Sequence, residues 1–319
     1  MPNQAENMIL VMGVTGTGKS YLINKLKEGS AGVGHDIMSH TADVSMIQTT
    51  LSGSPIAIVD TPGFDDTTRS DGEILREITK FLVAQYKLGI KLKGIIYLHR
   101  ITDVRMQGSA LQYFEMFRRL CGEDAFENVA LVTTMWGLLT DKEIGLQREE
   151  QLIEKFWEPM MDMGSYATSF DGSRESAEGI ISVLFGKEDV VLKIQKEIVD
   201  EGRVIEETTA GAYVKGKVKA RLVEKTDKVR NLTEQLDKAE RDRDLRRQRS
   251  LVKARDEAEM ELRKEKKGRE SLKQDVGKEM DATIAEKRRQ KWTSRFQIFA
   301  SVVGVSVAII ANLVLPFVM

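Results

Sequence analysis

The chain has 319 residues and one cysteine: the length suits one sizeable domain plus something extended, and the single thiol excludes an internal disulfide framework or a cysteine-rich zinc site. Its formal net charge of −1 conceals an asymmetry, because residues 215–291 hold 26 basic and 17 acidic side chains, a local charge of +9, and the remainder carries −10. A basic stretch of this kind suits an anionic surface or a solvated helix; it contains no aromatic residue to stack on bases, so no nucleic-acid partner is expected.

Residues 1–7 are polar and the first apolar run is short, so no secretory leader is expected. From residue 8 to about 185, strand-like and helix-like segments alternate, which predicts an α/β domain with a mostly parallel sheet. The predicted strands are Met8–Met12, Val44–Thr50, Ile56–Asp60, Gly94–Leu98, Val129–Thr133 and Tyr166–Phe170. Helices are predicted between them at Gly18–Lys27, Asp71–Lys87, Ser109–Leu120, Lys142–Met161 and Ser173–Phe185. Cys121 falls in an amphipathic helix and reads as a buried structural thiol. Val191, Leu192, Ile194, Ile198 and Val199 cover one helix face and are expected to pack back on this domain.

Between the first strand and the first helix lies Gly13-Val-Thr-Gly-Thr-Gly-Lys-Ser20, the Gly-x4-Gly-Lys-Ser pattern of a phosphate-binding P-loop. Glycines let the backbone fold tightly enough to turn successive N–H groups inward, so Gly13, Thr15, Gly16, Thr17 and Gly18 form an anion nest at a helix N-terminus. Lys19 is placed to reach the β- and γ-phosphates, and the Ser20 hydroxyl to bind Mg²⁺. At the end of the third strand, Asp60-Thr-Pro-Gly63 supplies a carboxylate for the metal and, through Gly63, an N–H for the γ-phosphate. Thr41 is the threonine expected to complete the metal shell, beside a loop at Gly29–Ser39 expected to be mobile.

These motifs, with Leu92-Lys-Gly-Ile-Ile-Tyr-Leu-His-Arg-Ile-Thr-Asp103, resemble those of the septin-like branch of P-loop GTPases, which includes the immunity-associated GTPases and the chloroplast outer-envelope import receptors. The likeness covers roughly residues 7–210 and is nearest to fungal G-domain proteins of the immunity-associated type. It implies a Ras-like G domain (residues 1–210), GTP or GDP as ligand with Mg²⁺, and GTP hydrolysis; phosphate and metal roles carry over to Gly18, Lys19, Ser20, Thr41 and Asp60.

Two departures stand out. Ras-type enzymes read guanine with Asn/Thr-Lys-x-Asp after the fifth strand, whereas this chain has Thr133-Thr-Met-Trp136, leaving Trp136 to stack on a base and Thr134 to offer a hydroxyl. Phe64 stands where such enzymes place the glutamine that orients water, so an isolated monomer is expected to be slow. The resemblance implies a homodimer formed across the nucleotide sites, with Arg105, or failing that Arg100, acting in trans on the partner's phosphates. The alternative is a nucleotide-gated scaffold with negligible hydrolysis.

Residues 211–291 read as a charged helical stalk with partial heptads at Leu222, Val229, Leu232, Leu236 and Ala239 and again at Leu272, Val276, Met280 and Ile284, with coiled-coil potential for holding two copies together. Residues 296–319 lack any charge and follow a basic cluster, which predicts a transmembrane tail anchor with the G domain in the cytosol; a hydrophobic helix docking on the domain is the competing expectation.

Overall fold

The computed structural model describes residues 7–27, 45–51, 54–61, 69–104, 106, 108–289, 295–303 and 306–309. Strands β1 (Asn7–Gly13), β2 (Ser45–Leu51), β3 (Ser54–Asp60), β4 (Lys91–Arg100), β5 (Val129–Thr134), β6 (Tyr166–Ser169) and β7 (Ser306–Ile309) form one sheet in the order β6-β5-β4-β1-β3-β2-β7. Only the β2–β3 pair is antiparallel.

Helix α1 (Lys19–Lys27) follows β1; α2 (Asp71–Lys87) and α3 (Ser109–Cys121) flank β4. After β5 come α4 (Lys142–Leu152), a π turn (Ile153–Trp157) and α5 (Glu158–Met161), then α6 (Arg174–Phe185) and the short α7 (Lys193–Gln195). Alternation along the strands builds two cores. Met8, Leu10, Met12, Val59 and Tyr97 face α2 and α3, whereas Ile9, Val11, Ile58, Ile96 and Leu98 face α1 and α6. Cys121 is buried and its thiol is pushed well up by burial, consistent with a structural thiol. Leu192, Ile194 and Ile198 join the α2/α3 core.

The predicted extended stalk is corrected. Residues 209–289 fold into an antiparallel hairpin, α8 (Thr209–Arg241) and α9 (Leu245–Leu272), followed by α10 (Val276–Arg289), and these helices pack against α2. The chain reverses at Asp242–Asp244, where Arg243 takes a positive φ of 56°. The heptad positions are spent within the chain: Leu232, Leu236 and Ala239 meet Leu251 near the hairpin tip, while Leu272, Val276, Met280 and Ile284 enter the main core.

Helix α2 starts with a capping box, Ser70 with Glu73, and its first residue Asp71 accepts a 2.8 Å hydrogen bond from Tyr113 and a charged one from Arg221 of α8. Farther along α2, Glu279 of α10 receives Arg76 at 2.8 Å and Lys80 at 2.7 Å, and Asp281 receives Lys87 at 2.6 Å. Gly72 and Gly268 allow the closest approach, since a Cβ on Gly72 would fall on the Gly268 carbonyl and one on Gly268 would fall on the Ser70 hydroxyl. Beside this contact Glu265 is buried near Arg221, and burial raises its carboxyl above the usual range despite that arginine.

Of the predicted membrane helix over 296–319, residues 304–305 and 310–319 lie outside the described residues. Its first part forms α11 (Arg295–Val303), with Ile298 and Phe299 buried and the Phe299 ring edge-on to Phe81 of α2 at 4.9 Å. Ser306–Ile309 then forms β7, parallel to β2 from Ser45↔Ser306 to Gln48↔Ile309. Among the described residues no helix is long and apolar enough to cross a membrane. Within Ser306–Ile309 the β-branched Val307 and Ile309 suit a strand, and β2 presents an edge that a strand can cover.

Candidate functional site

The C-terminal ends of β1, β3, β4 and β5 converge at the P-loop. Pairing of β1 with β4 places Gly13 opposite Leu98, so β4 runs two residues past the point where β1 turns into the loop. Gly16 and Gly18 adopt φ of 81° and 90°, conformations that side-chain-bearing residues resist, and the chain enters α1 at Lys19. Thr17 turns its hydroxyl back to the Val14 carbonyl at 2.9 Å, so it closes the loop with its side chain and contributes to an anion nest only through its backbone. Thr15 is exposed on the loop surface.

Lys19 is only 7% exposed and donates to the carbonyls of Gly13 at 3.1 Å and Val14 at 3.2 Å. Burial lowers its pKa, and the nearby Asp60 carboxylate opposes that shift. A buried ammonium whose partners are mostly backbone carbonyls is poised to gain from an incoming polyanion. Asp60, 2% exposed at the end of β3, accepts a 2.6 Å hydrogen bond from the Ser20 hydroxyl. The two sequence motifs, forty residues apart, thus meet at one point.

A hydroxyl and a carboxylate in contact at a P-loop are hard oxygen donors of the kind Mg²⁺ takes, with further oxygens coming from phosphate and water. Among the described residues no group of three or more His, Cys, Asp or Glu side chains could hold a metal ion unaided. The donor set therefore fits a cation that arrives with a polyphosphate.

Thr134 departs from its expected role. It lies in β5 and is buried, with its hydroxyl 2.8 Å from the Thr17 carbonyl and 3.3 Å from that of His99, so it staples β5 to the P-loop. Trp136 is partly exposed just past β5; its ring lies over Gly145 and its Nε1 donates to Thr133 at 3.0 Å. Met135 between them has a positive φ of 66°, and its terminal methyl lies beside Gly18.

Sequence reasoning did not anticipate the position of Arg100. This last residue of β4 directs Nη1 to within 3.3 Å of where a Cβ on Gly16 would stand, and its Nε donates to Asp103 at 3.2 Å. Next to it, burial and the Arg100 charge lower the pKa of His99, and its ring meets Trp157 edge-on. Arg148 of α4 donates to the carbonyls of Ile101 and Thr102 and so ties down the turn that carries Arg100. The predicted Thr41, Gly63 and Arg105, together with Phe64 and the loop Gly29–Ser39, lie outside the described residues.

Residues 8–115, from β1 into α3, match the family described as 50S ribosome-binding GTPase. The fold is that of a P-loop GTPase. Translocase of chloroplast 90 from Arabidopsis thaliana is 27% identical over 130 residues, which are 40% of this chain and 16% of that protein. Toc33 from A. thaliana, crystallised with Mg²⁺ and GMPPNP, aligns at 19% identity over 59% of this chain and 89% of its own, with a TM-score of 0.45. Era in complex with MgGDPNP and a 16S ribosomal RNA segment aligns at 14% identity over 58% of this chain and 57% of its own, with a TM-score of 0.41.

Proposed function

We propose that this chain is a Mg²⁺-dependent GTP-binding protein of the septin-like branch that hydrolyses GTP to GDP, with turnover raised when two G domains meet across their nucleotide sites. The observation that carries the reading is the 2.6 Å contact of Ser20 with Asp60 beside the buried Lys19. With nucleotide bound, Lys19 would turn from the loop carbonyls to the β/γ-phosphate oxygens, and Ser20 and Asp60 would hold Mg²⁺. Mg²⁺ held there would supply neutralisation of the phosphates' negative charge. Thr41, the Gly63 amide and the partner's Arg105 complete the site by sequence resemblance. Guanine as the base rests on that resemblance and on the GTPase family match.

Catalysis here is positioning and charge neutralisation. Phe64 offers no group to orient water, so a lone domain turns over slowly and is helped by a neighbour. The same residue favours a second reading, a nucleotide-gated scaffold in which turnover is too slow to matter.

The test is GTP hydrolysis by the full chain, under single-turnover conditions, as a function of protein and Mg²⁺ concentration. Specific activity that climbs with protein concentration supports pairing, and activity that is negligible at every concentration supports the scaffold. Ser20→Ala removes one metal donor and is expected to shift the Mg²⁺ requirement upward by about tenfold, the size of one lost charge-assisted contact. An unchanged Mg²⁺ requirement contradicts the assigned metal site.

A further inference from the structure

We propose that the cavity between the turn after β4, helix α3 and helix α4 is a binding site for a small organic carboxylate with an apolar body. The proposal stands apart from the nucleotide reading above.

The cavity has a volume of about 440 Å³, inside the range of roughly 300–1,000 Å³ typical of small-molecule sites. One wall is a single helix face, since Arg148, Gln151, Leu152, Lys155 and Phe156 are spaced as i, i+3, i+4, i+7 and i+8. Within that wall the helix widens into the π turn Ile153–Trp157, where the Glu158 N–H bonds to the Ile153 carbonyl. Such turns recur at functional sites. Leu111 of α3 and Ile101 of the turn after β4 supply the remaining apolar surface.

At the end of β4 the cavity is lined by His99, which is only 4% exposed and whose imidazole nitrogens have no hydrogen-bond partner among the described residues. Its one ring contact is Trp157, edge-on at 6.5 Å between centroids. A buried polar group without a partner carries a cost that a ligand able to bond to it removes. Burial lowers the pKa of His99, with Asp103 opposing that shift and Arg100 adding to it, so the ring is neutral and keeps one N–H to donate.

Charge selects the class of ligand. Arg148 donates to the carbonyls of Ile101 at 3.1 Å and Thr102 at 3.3 Å, and among the described residues no carboxylate pairs with it. Lys155 is exposed and also has no acidic partner among them. The one acid in the lining, Asp103, is already paired with Arg100 at 3.2 Å. An alkyl carboxylate answers each feature: its charge meets Arg148 and Lys155, an oxygen accepts from His99, and its chain covers Leu111, Leu152 and Phe156. A bare phosphate would leave those apolar walls wet, and a neutral hydrocarbon would leave the imidazole unpaired.

The test titrates octanoate into the full chain and follows the imidazole NMR signals of its three histidines. Loss of one signal in His99→Phe identifies that of His99. The proposal expects octanoate to move the His99 signal saturably, and 1-octanol and octylammonium, which share its chain and lack its charge, to bind at least tenfold more weakly. Lys155→Glu, on the exposed rim, is expected to weaken octanoate by about 5- to 10-fold, the size of an exposed ion pair lost and then reversed. His99→Phe, read by calorimetry, is expected to weaken it by about 10- to 100-fold, the range of a hydrogen bond to a charged group. Leu111→Trp fills the cavity and is expected to abolish binding; where its melting temperature shows that it does not fold, Lys155→Glu decides. An unmoved His99 signal, octanol or octylammonium binding as tightly as octanoate, or wild-type affinity in Lys155→Glu overturns the proposal. A His99 signal that moves with protein concentration and not with octanoate marks a surface between copies of this chain and overturns it as well.

Discussion

Gly268→Val is expected to release the helical hairpin from α2 and lower the melting temperature by roughly 6–12 °C. Gly268 touches the Ser70 cap and faces Gly72 at the N-terminus of α2, with no room for a Cβ on either glycine. A Cβ on Gly268 falls on the Ser70 hydroxyl and 2.7 Å from the Ser70 Cβ, an atom fixed to the backbone that cannot swing aside as the far end of a long side chain can. Forcing atoms into such a contact costs about 3 kcal/mol. In a domain of this size each kcal/mol moves the melting temperature by roughly 2–4 °C. Separation also strips Arg221 from Asp71 and Lys267 from Glu73, leaving Asp71 partly buried beside Tyr113 with its cation gone. Limited proteolysis is the companion measurement, with faster cleavage expected within residues 209–289. An unaltered melting temperature and cleavage pattern would contradict the docked hairpin.

Lys19→Ala is expected to abolish the thermal stabilisation that GTP confers while leaving the apo protein as stable as wild type or slightly more so. The two halves have one cause. In the empty site the ammonium is buried against carbonyls at a desolvation cost, which lowers its pKa, so its removal relieves a penalty. In the loaded site the same charge faces phosphate oxygens, and its loss weakens binding by about 100-fold or more. A ligand at 100 times its dissociation constant stabilises the folded chain by about 2.7 kcal/mol, and a 100-fold weaker one by only about 0.4 kcal/mol. Differential scanning fluorimetry with and without GTP reads both effects. An equal GTP-induced shift in wild type and variant would contradict the role of Lys19.

The sequence made the nucleotide site legible because its signals are local. Gly13–Ser20 sits between an apolar strand and a helix, and Asp60 ends the next parallel neighbour, so the meeting of Ser20 with Asp60 follows from knowing that β1 and β3 pair. All six predicted strands are present, though β4 runs from Lys91 to Arg100 rather than from Gly94 to Leu98. That small difference at its end is what puts Arg100 at the P-loop. Thr134 is expected at the base because it falls in the stretch where Ras-type enzymes read guanine; its capture by the Thr17 carbonyl depends on a loop 117 residues away.

The helical stretch 209–289 departs from the expected stalk for a related reason. Periodicity tells which helix face is apolar and says nothing about whether its partner is another chain or the same one. Leu272, Val276, Met280 and Ile284 have the spacing of a coiled-coil seam, and the surface they meet is part of the core around α2. The ion pairs that fix the choice, Arg221 with Asp71 and Arg76 with Glu279, join residues 150 and 203 positions apart, beyond any local pattern. The uncharged tail meets the length criterion for a membrane helix; among its described residues, Phe299 packs on Phe81 and β7 pairs with β2.

The central claim is that the P-loop, Ser20 and Asp60 form one Mg²⁺-dependent site for a guanine nucleotide. Equilibrium binding of a labelled GTP analogue to the wild-type chain, with competition by unlabelled GTP or ATP in Mg²⁺ and again in excess chelator, tests it most directly. The account predicts saturable binding that GTP displaces well and ATP poorly, weakened by the chelator. Displacement by ATP as effective as by GTP would contradict the guanine assignment, and binding that is absent in Mg²⁺ or indifferent to the chelator would contradict the site itself.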